Sequence, residues 1–286
     1  NEPEAAQRWE SCIYSAEEEK VFVRDHLGPT LSREGLGSVK IVIWDHNRDG
    51  MFERAHAAYS DPEAAKYIWG CAYHWYGDAC YEAWPDRSEV GFMDLQRFSF
   101  FNEVKARVGF DNVRRVAELH PEKHILFSEG CQELSGTPVG DVMHEWTFGE
   151  RYAFNIIADM NSGCEGWIDW NLLLDETGGP NHLHNLCLAP IICDTQKQEV
   201  IYSTPYYFLA HFSKFIRPGA RRVLCSASRD ALEVTAFVNP DESLSVVVLN
   251  RSVGGIDFKL KVATEGGLQT APLRSPANSI LTLVLE

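Results

Sequence analysis

The sequence predicts an α/β chain over residues 1–218 followed by an all-β domain over 219–286. Three observations lead there. Between Val39 and Ile216, apolar β-rich runs alternate with segments of helical spacing. Strand, helix, strand, repeated, implies a parallel sheet. After Gly219 the texture changes: Leu232, Val234, Ala236 and Val238 alternate with polar residues, as do Ile256, Phe258, Leu260 and Val262, and Leu281, Leu283 and Leu285. Short alternating strands broken by turns such as Asn239-Pro240-Asp241 indicate a β-sandwich.

The elements follow in order. Ser15-Ala16-Glu17-Glu18 is a capping box that opens a helix running toward Gly28-Pro29, a kink or stop. Val39 to Trp44 is a near-continuous apolar run, the signature of a strand buried on both faces. Asp61-Pro62 reads as N-cap and first residue of a helix covering EAAKYIWG. Cys71 to Tyr76 is the next strand. Residues 77–120 are longer and more polar, a loop plus a helix near Asn102–His120. Ile125 to Ser128 is a strand that ends in Glu129. Tyr152, Ala153, Ile156, Ile157 and Met160 recur at helical spacing. Gly166 to Asn171 is a strand with polar residues at its end. Thr204-Pro205 caps a helix whose stripe is Phe208, Phe212, Phe215 and Ile216.

Bulk properties exclude some functions. With 26 basic and 41 acidic residues the net charge is −15. Nucleic acids and anionic membrane surfaces attract basic patches, so neither is expected as a partner. No apolar run approaches the roughly 18 residues of a membrane span. The eight cysteines include no C-x-x-C pair, and Cys71, Cys164 and Cys225 lie in apolar runs. That usage favours a reduced, cytoplasmic protein, with secretion or a lysosomal location open. Asn250-Arg251-Ser252 fits the N-glycosylation pattern, as one stretch in a chain this long does by chance. Phosphate-binding glycine motifs and the G-x-S-x-G elbow are absent, which leaves a Ser nucleophile unsupported.

Polar and aromatic residues collect at the strand ends: Asp45-His46-Asn47, His74-Trp75-Tyr76, Glu129 and Asp169-Trp170-Asn171. In a (β/α)₈ barrel that is the catalytic face. Glu129 directly follows Ile-Leu-Phe-Ser, where a buried charge is costly unless it is paired or functional. Glu2, in Asn1-Glu2-Pro3-Glu4, is the second candidate carboxylate; a terminal acid is ordinarily solvated. Positions 2 and 129 lie 127 residues apart. That suits strand ends three units apart, at roughly 30 residues or more per unit. Two carboxylates so placed are the working parts of a glycoside hydrolase. Trp75, Trp167 and Trp170 offer faces on which sugar rings stack, or else ordinary core packing. His182-x-His184, with His46 and His74, hints at metal, but no ligand set with a known spacing supports it; no metal or cofactor is expected.

Several strings together carry a resemblance: NEPE, IVIWDHNRD, DPEAAKYIWGCAYHWY, ILFSEGC, GWIDWNLLLDETGGPNHLHN, APIICD, YYFLAHFSKFIRPGARRV and VVVLNRS. The chain resembles glycoside hydrolase family 30, its glucosylceramidase branch in particular, over nearly its whole length and least at 77–120. The resemblance implies the C-terminal half of a (β/α)₈ barrel (the end of the fourth strand to the eighth) with a β-sandwich beside it. It implies a retaining β-glucosidase acting on a terminal β-glucosyl unit of a glucosylated lipid or glucan. Endo-β-1,6-glucanase and β-xylosidase are the alternatives within the family, and an inactive carbohydrate-binding fragment the alternative outside catalysis. By the same likeness Glu2 is the acid/base, Glu129 the nucleophile, and Asn1 a partner of the sugar 2-hydroxyl. Tyr76 lies near the nucleophile; Asp45, Trp170 and Asn185 line the sugar pocket, with His74 and Trp75 alongside. Paired carboxylates of this kind are expected to divide into a protonated Glu2 and an ionised Glu129. The upstream barrel strands are missing, so the chain is expected to be a piece of a longer protein; the alternatives are an N-terminal half supplied as a separate chain, or the pairing of two half-barrels.

Overall fold

The computed structural model describes residues 1–3, 14–76, 109–134 and 136–286. The predicted loop and the start of the helix within 77–120 fall largely outside them. The chain divides into two compact units: residues 1–131 with 158–170, and residues 132–157 with 171–286. In the second unit the segment from 132 onward shares a core with strands that follow it.

The first unit is built on a four-stranded sheet. Its strands are Ile41–Asn47, Ile68–His74, His124–Glu129 and Gly166–Trp167, paired in that order and all parallel. Helices fill the connections: Arg48–Tyr59 and the single turn Pro62–Ala65, then residues 109–119, then Trp146–Asn161. This is the βαβ succession a barrel requires. Gly70 permits the second and third strands to meet closely, since a Cβ there would lie 2.7 Å from the His124 carbonyl carbon.

The capping box forms as expected: the Ser15 hydroxyl accepts from the Glu18 N–H at 3.2 Å, and the Glu18 carboxylate accepts from the Ser15 N–H at 2.9 Å. The helix Ala16–Phe22 does not stop at Gly28-Pro29. It widens into a π-turn, Val23–Leu27, and continues as Gly28–Arg33. Proline lacks an N–H and crowds the carbonyl four residues back, and the wider turn relieves both.

Two expectations need correction, and one helix was not foreseen. The first strand is not buried on both faces: Val42 is 38 % exposed, because this strand is at the sheet's edge among the described residues. Ile68-Trp69-Gly70 are strand, not helix, leaving Asp61-Pro62 to cap one turn. The helix Arg48–Tyr59 had no sequence signal, because its buried face mixes Arg48 and Arg54 with Met51, Ala55 and Ala58.

In the second unit, Leu134, Val139, Leu188 and Ile192 form a buried cluster, with Val142, Met143, Phe148 and Ile201 packed against it. The helix Thr204–Ser213 buries Phe208 and Phe212, two members of the expected stripe. An antiparallel sheet orders Arg221–Val223, Leu232–Val238, Leu244–Asn250 and Ser279–Leu285, and Ile256–Thr264 pairs with Gly267–Ser275 as a hairpin. Leu232, Ala236, Val246, Val248 and Ile256 make the sandwich core, as the period-two pattern requires. Asn250 is fully buried, with its amide donating to the carbonyl oxygens of Gly254 and Pro276 at 3.1 and 2.6 Å. Its match to the glycosylation pattern is therefore incidental.

Candidate active site

The C-terminal ends of the four parallel strands carry the unit's chemistry. Two register slips aim it. Trp44 pairs with Ala72 and His46 with Tyr73, so Asp45 is an extra residue. Tyr73 pairs with Phe127 and His74 with Glu129, so Ser128 is another. An extra residue bends its strand and redirects a side chain. Here the two redirected side chains meet: the Ser128 hydroxyl donates to Asp45 Oδ1 at 2.6 Å. Trp44 and Asp45 have φ of 74° and 54°, left-handed values that cost a non-glycine residue roughly 1–2 kcal/mol each. Strain of this kind concentrates at functional sites. Glu2, with φ 47°, is buried beside them, its N–H donating to the Asp45 carbonyl at 2.9 Å.

His74 is the centre of the arrangement and has no exposed surface. Nδ1 lies 3.1 Å from Glu2 Oε1 and Nε2 lies 3.1 Å from Asp45 Oδ1. Nε2 is also 3.9 Å from Glu129 Oε2. His46 Nδ1 stands 3.7 Å from Glu2 Oε1. Ionised carboxylates only accept, so an imidazole between two of them donates from both nitrogens and is charged.

The electrostatics follow from that cation. Burial works to lower the His74 pKa, but hydrogen bonds to Asp45 and Glu2 outweigh it and raise it to about 9. Burial works to raise Asp45, but His74 and Ser128 bring it down to about 2. Burial likewise opposes ionisation of Glu2, yet the hydrogen bond and charge of His74, helped by His46, leave it below the ordinary value. Glu129 goes the other way: burial raises it, the charges of Glu2 and Asp45 add to the rise, and His74 and a hydrogen bond from Tyr76 only partly offset it. The free site thus reverses the expected split. Glu2 is the more acidic carboxylate because His74 touches it directly, while Glu129 is a longer step from the cation.

Beneath the site lies a buried ion pair. The Arg48 guanidinium donates to both oxygens of Asp159, at 3.0 and 2.7 Å, and both side chains are wholly buried. Arg48 also faces the rings of Tyr73, Phe110 and Phe127 at 5.3, 4.6 and 5.5 Å. Phe127 stacks on Trp167 at 4.2 Å, and Trp75 meets each edge-on at 5.7 Å. A Cβ on Gly130 would strike the Phe127 and Trp75 rings at 2.6 and 2.9 Å, which fixes the residue after Glu129 as glycine.

Of the residues named from sequence, the first unit brings Glu2, Asp45, His74, Tyr76 and Glu129 together. Trp75 is 0 % exposed, so its ring packs the core and offers no sugar face. Trp170 is 49 % exposed, its N–H donating to the Gly130 carbonyl at 2.9 Å. Asn1 is exposed next to Asp45. Asn185 belongs to the second unit, where its amide donates to Glu133 at 3.1 Å. Sequence reasoning omitted Ser128, Arg48 and Asp159 from the site, and named His46 only at a strand end and in a metal hint that it set aside. His46 and Ser128 stand next to candidates, at strand ends, and that adjacency was the available signal. Arg48 and Asp159 are 111 residues apart, and no local pattern links them.

Comparison with known proteins decides the family. Residues 2–99 and 108–216 match the glycosyl hydrolase family 30 TIM-barrel domain, and residues 219–283 match that family's beta sandwich domain. The chain belongs to glycosyl hydrolase family 30. Its fold is accordingly a TIM-barrel portion followed by a β-sandwich. Among family 30 relatives, the lysosomal acid glucosylceramidase of Mus musculus is 33 % identical over 273 residues, covering 95 % of this chain and 47 % of that protein. The endo-1,6-beta-D-glucanase of Neurospora crassa is 24 % identical over 297 residues, covering 100 % of this chain and 52 % of that one. The crystal structure of SrfJ from Salmonella typhimurium superposes with a TM-score of 0.81 at 36 % identity, covering 100 % of this chain and 56 % of that chain. The chain spans about half the length of the curated relatives it matches.

Proposed function

We propose that the protein this chain represents is a retaining β-glucosidase of the glucosylceramidase type, with Glu129 as nucleophile and Glu2 as acid/base. The observation that carries the reading is the placement of both carboxylates on one buried imidazole, Glu2 at 3.1 Å and Glu129 at 3.9 Å. The glucosylceramidase name of the mouse relative supports the choice of substrate. We take the barrel portion to residue 218 and the sandwich from 219.

The reaction is a double displacement. A Glu129 oxygen bonds to the anomeric carbon as the glycosidic C–O bond breaks, and Glu2 gives its proton to the departing oxygen. Water then attacks the same carbon, Glu2 takes the water's proton, and the ester to Glu129 breaks. Tyr76 steadies the nucleophile through its hydrogen bond. The first step needs the proton on Glu2, whereas the free site favours Glu129. A glycosidic oxygen that accepts a hydrogen bond from Glu2 favours its protonated form, which moves the proton toward the productive arrangement.

Glu129→Gln tests the assignment. Turnover of an aryl β-glucoside is expected to vanish with the fold intact, and retained hydrolysis would overturn it. Comparing aryl β-glucoside, aryl β-xyloside and β-1,6-glucan as substrates separates the glucosidase from the other activities considered above.

A further inference from the structure

Three side chains distant in sequence converge in the first unit. One ligand atom each of Glu2, His46 and His74 lies within 4.8 Å of the other two. Glu2 Oε1 is 3.1 Å from His74 Nδ1 and 3.7 Å from His46 Nδ1. A tetrahedral zinc ion holds nitrogen and oxygen donors at about 2.0–2.2 Å, which sets neighbouring donors about 3.3–3.5 Å apart. The two separations bracket that spacing, so small side-chain rotations close the set around an ion.

The support behind the ligands is also in place. The ion displaces the proton that the free site holds on Nδ1, and the neutral ring keeps its Nε2–H on Asp45 Oδ1 at 3.1 Å, an oxygen the Ser128 hydroxyl holds at 2.6 Å. A carboxylate behind a ligating imidazole fixes the ring and raises its basicity. Two histidines, one glutamate and an open fourth position is a known zinc donor set. Imidazole and carboxylate together favour zinc and similar divalent transition metals over magnesium or calcium.

We propose that Glu2, His46 and His74 form a binding site for a divalent transition-metal ion of the zinc type, braced by Asp45. A bound ion engages Glu2 Oε1 and withholds it from proton transfer, so the metal acts as an inhibitor. Inhibition rests on the acid/base reading of Glu2; binding does not.

The test is calorimetric titration of the protein with zinc chloride, paired with the visible spectrum of its cobalt(II) form. One ion per chain is expected, with a nitrogen- and oxygen-ligated cobalt spectrum lacking thiolate charge transfer. His46→Asn is expected to weaken binding about tenfold or more, the loss typical of disturbing a metal site. Its circular dichroism verifies the fold, and His46→Gln serves if the first variant misfolds. His182→Asn/His184→Asn is expected to change nothing. No binding by folded protein, undiminished binding in the His46 variants, or a thiolate cobalt spectrum overturns the proposal. Binding that His46→Asn removes but that leaves glucoside hydrolysis untouched upholds the site and overturns the acid/base role of Glu2 instead.

Discussion

His74 Nδ1 and Glu2 Oε1 meet at 3.1 Å, and the opposite edge of the same ring reaches Asp45 at the same distance. The histidine is therefore a buried cation shared by two carboxylates, with a third, Glu129, 3.9 Å away. His74→Gln removes that charge while keeping a polar side chain. Glu2 and Asp45 then lose their stabilising partner, so their pKa values rise. The kcat/KM profile against pH is expected to move to higher pH by roughly one unit, and stability to fall by about 2 kcal/mol. An unmoved profile would mean that His74 does not set the charge of the site.

The same cation makes stability depend on pH. His74 is raised from an ordinary 6.5 to about 9 in the folded protein. Its contribution is fully present below pH 6.5 and is lost as pH rises toward 9, up to about 3 kcal/mol for a shift of this size. Asp45 and Glu2, both lowered, contribute in the opposite sense, and their share disappears as pH falls toward 2. The interactions are shared, so the two contributions do not add. Thermal melts from pH 6 to 9.5 are expected to show a declining Tm, and a flat profile would contradict the charged imidazole.

Arg48 and Asp159 are both wholly buried, so removing one leaves the other unpaired. Arg48→Met is expected to cost about 3–5 kcal/mol in urea unfolding. Combining it with Asp159→Leu is expected to recover much of the loss, because no uncompensated charge remains. A double variant as unstable as the single would show that packing against Phe127 and Tyr73, not charge, dominates.

The backbone framework was more legible than the site. Alternation along Leu232–Val238 and Ile256–Thr264 signals β-strands directly, and those strands lie where the pattern put them. Glu129 was legible because an acid at the end of an apolar strand stands out. The helix Arg48–Tyr59 was hidden because its buried face includes two arginines, whose partners lie elsewhere in the chain: Asp159 for Arg48 and Glu19 for Arg54. Trp75 stayed open between a sugar platform and core packing for a related reason: sequence cannot tell an aromatic that faces a ligand from one enclosed by Phe127 and Trp167. The reversed acidities of Glu2 and Glu129 depend on distances to His74, which only the fold supplies.

Asn250 gives a check on the sandwich. Its amide satisfies carbonyl groups at the turn after its strand and at Pro276. Asn250→Ala is expected to destabilise by about 1–3 kcal/mol, the penalty of orphaned buried acceptors. Expression in a glycosylating host is expected to leave Asn250 unmodified in folded protein; a glycan there, found by mass spectrometry, would contradict its burial.

Covalent labelling tests the central assignment most directly. A cyclophellitol-type epoxide opens on the nucleophile of a retaining glucosidase and stays attached. Peptide mass mapping after incubation is expected to place the label on Glu129. A label on Glu2 or Asp45, or none on folded protein, would contradict the account.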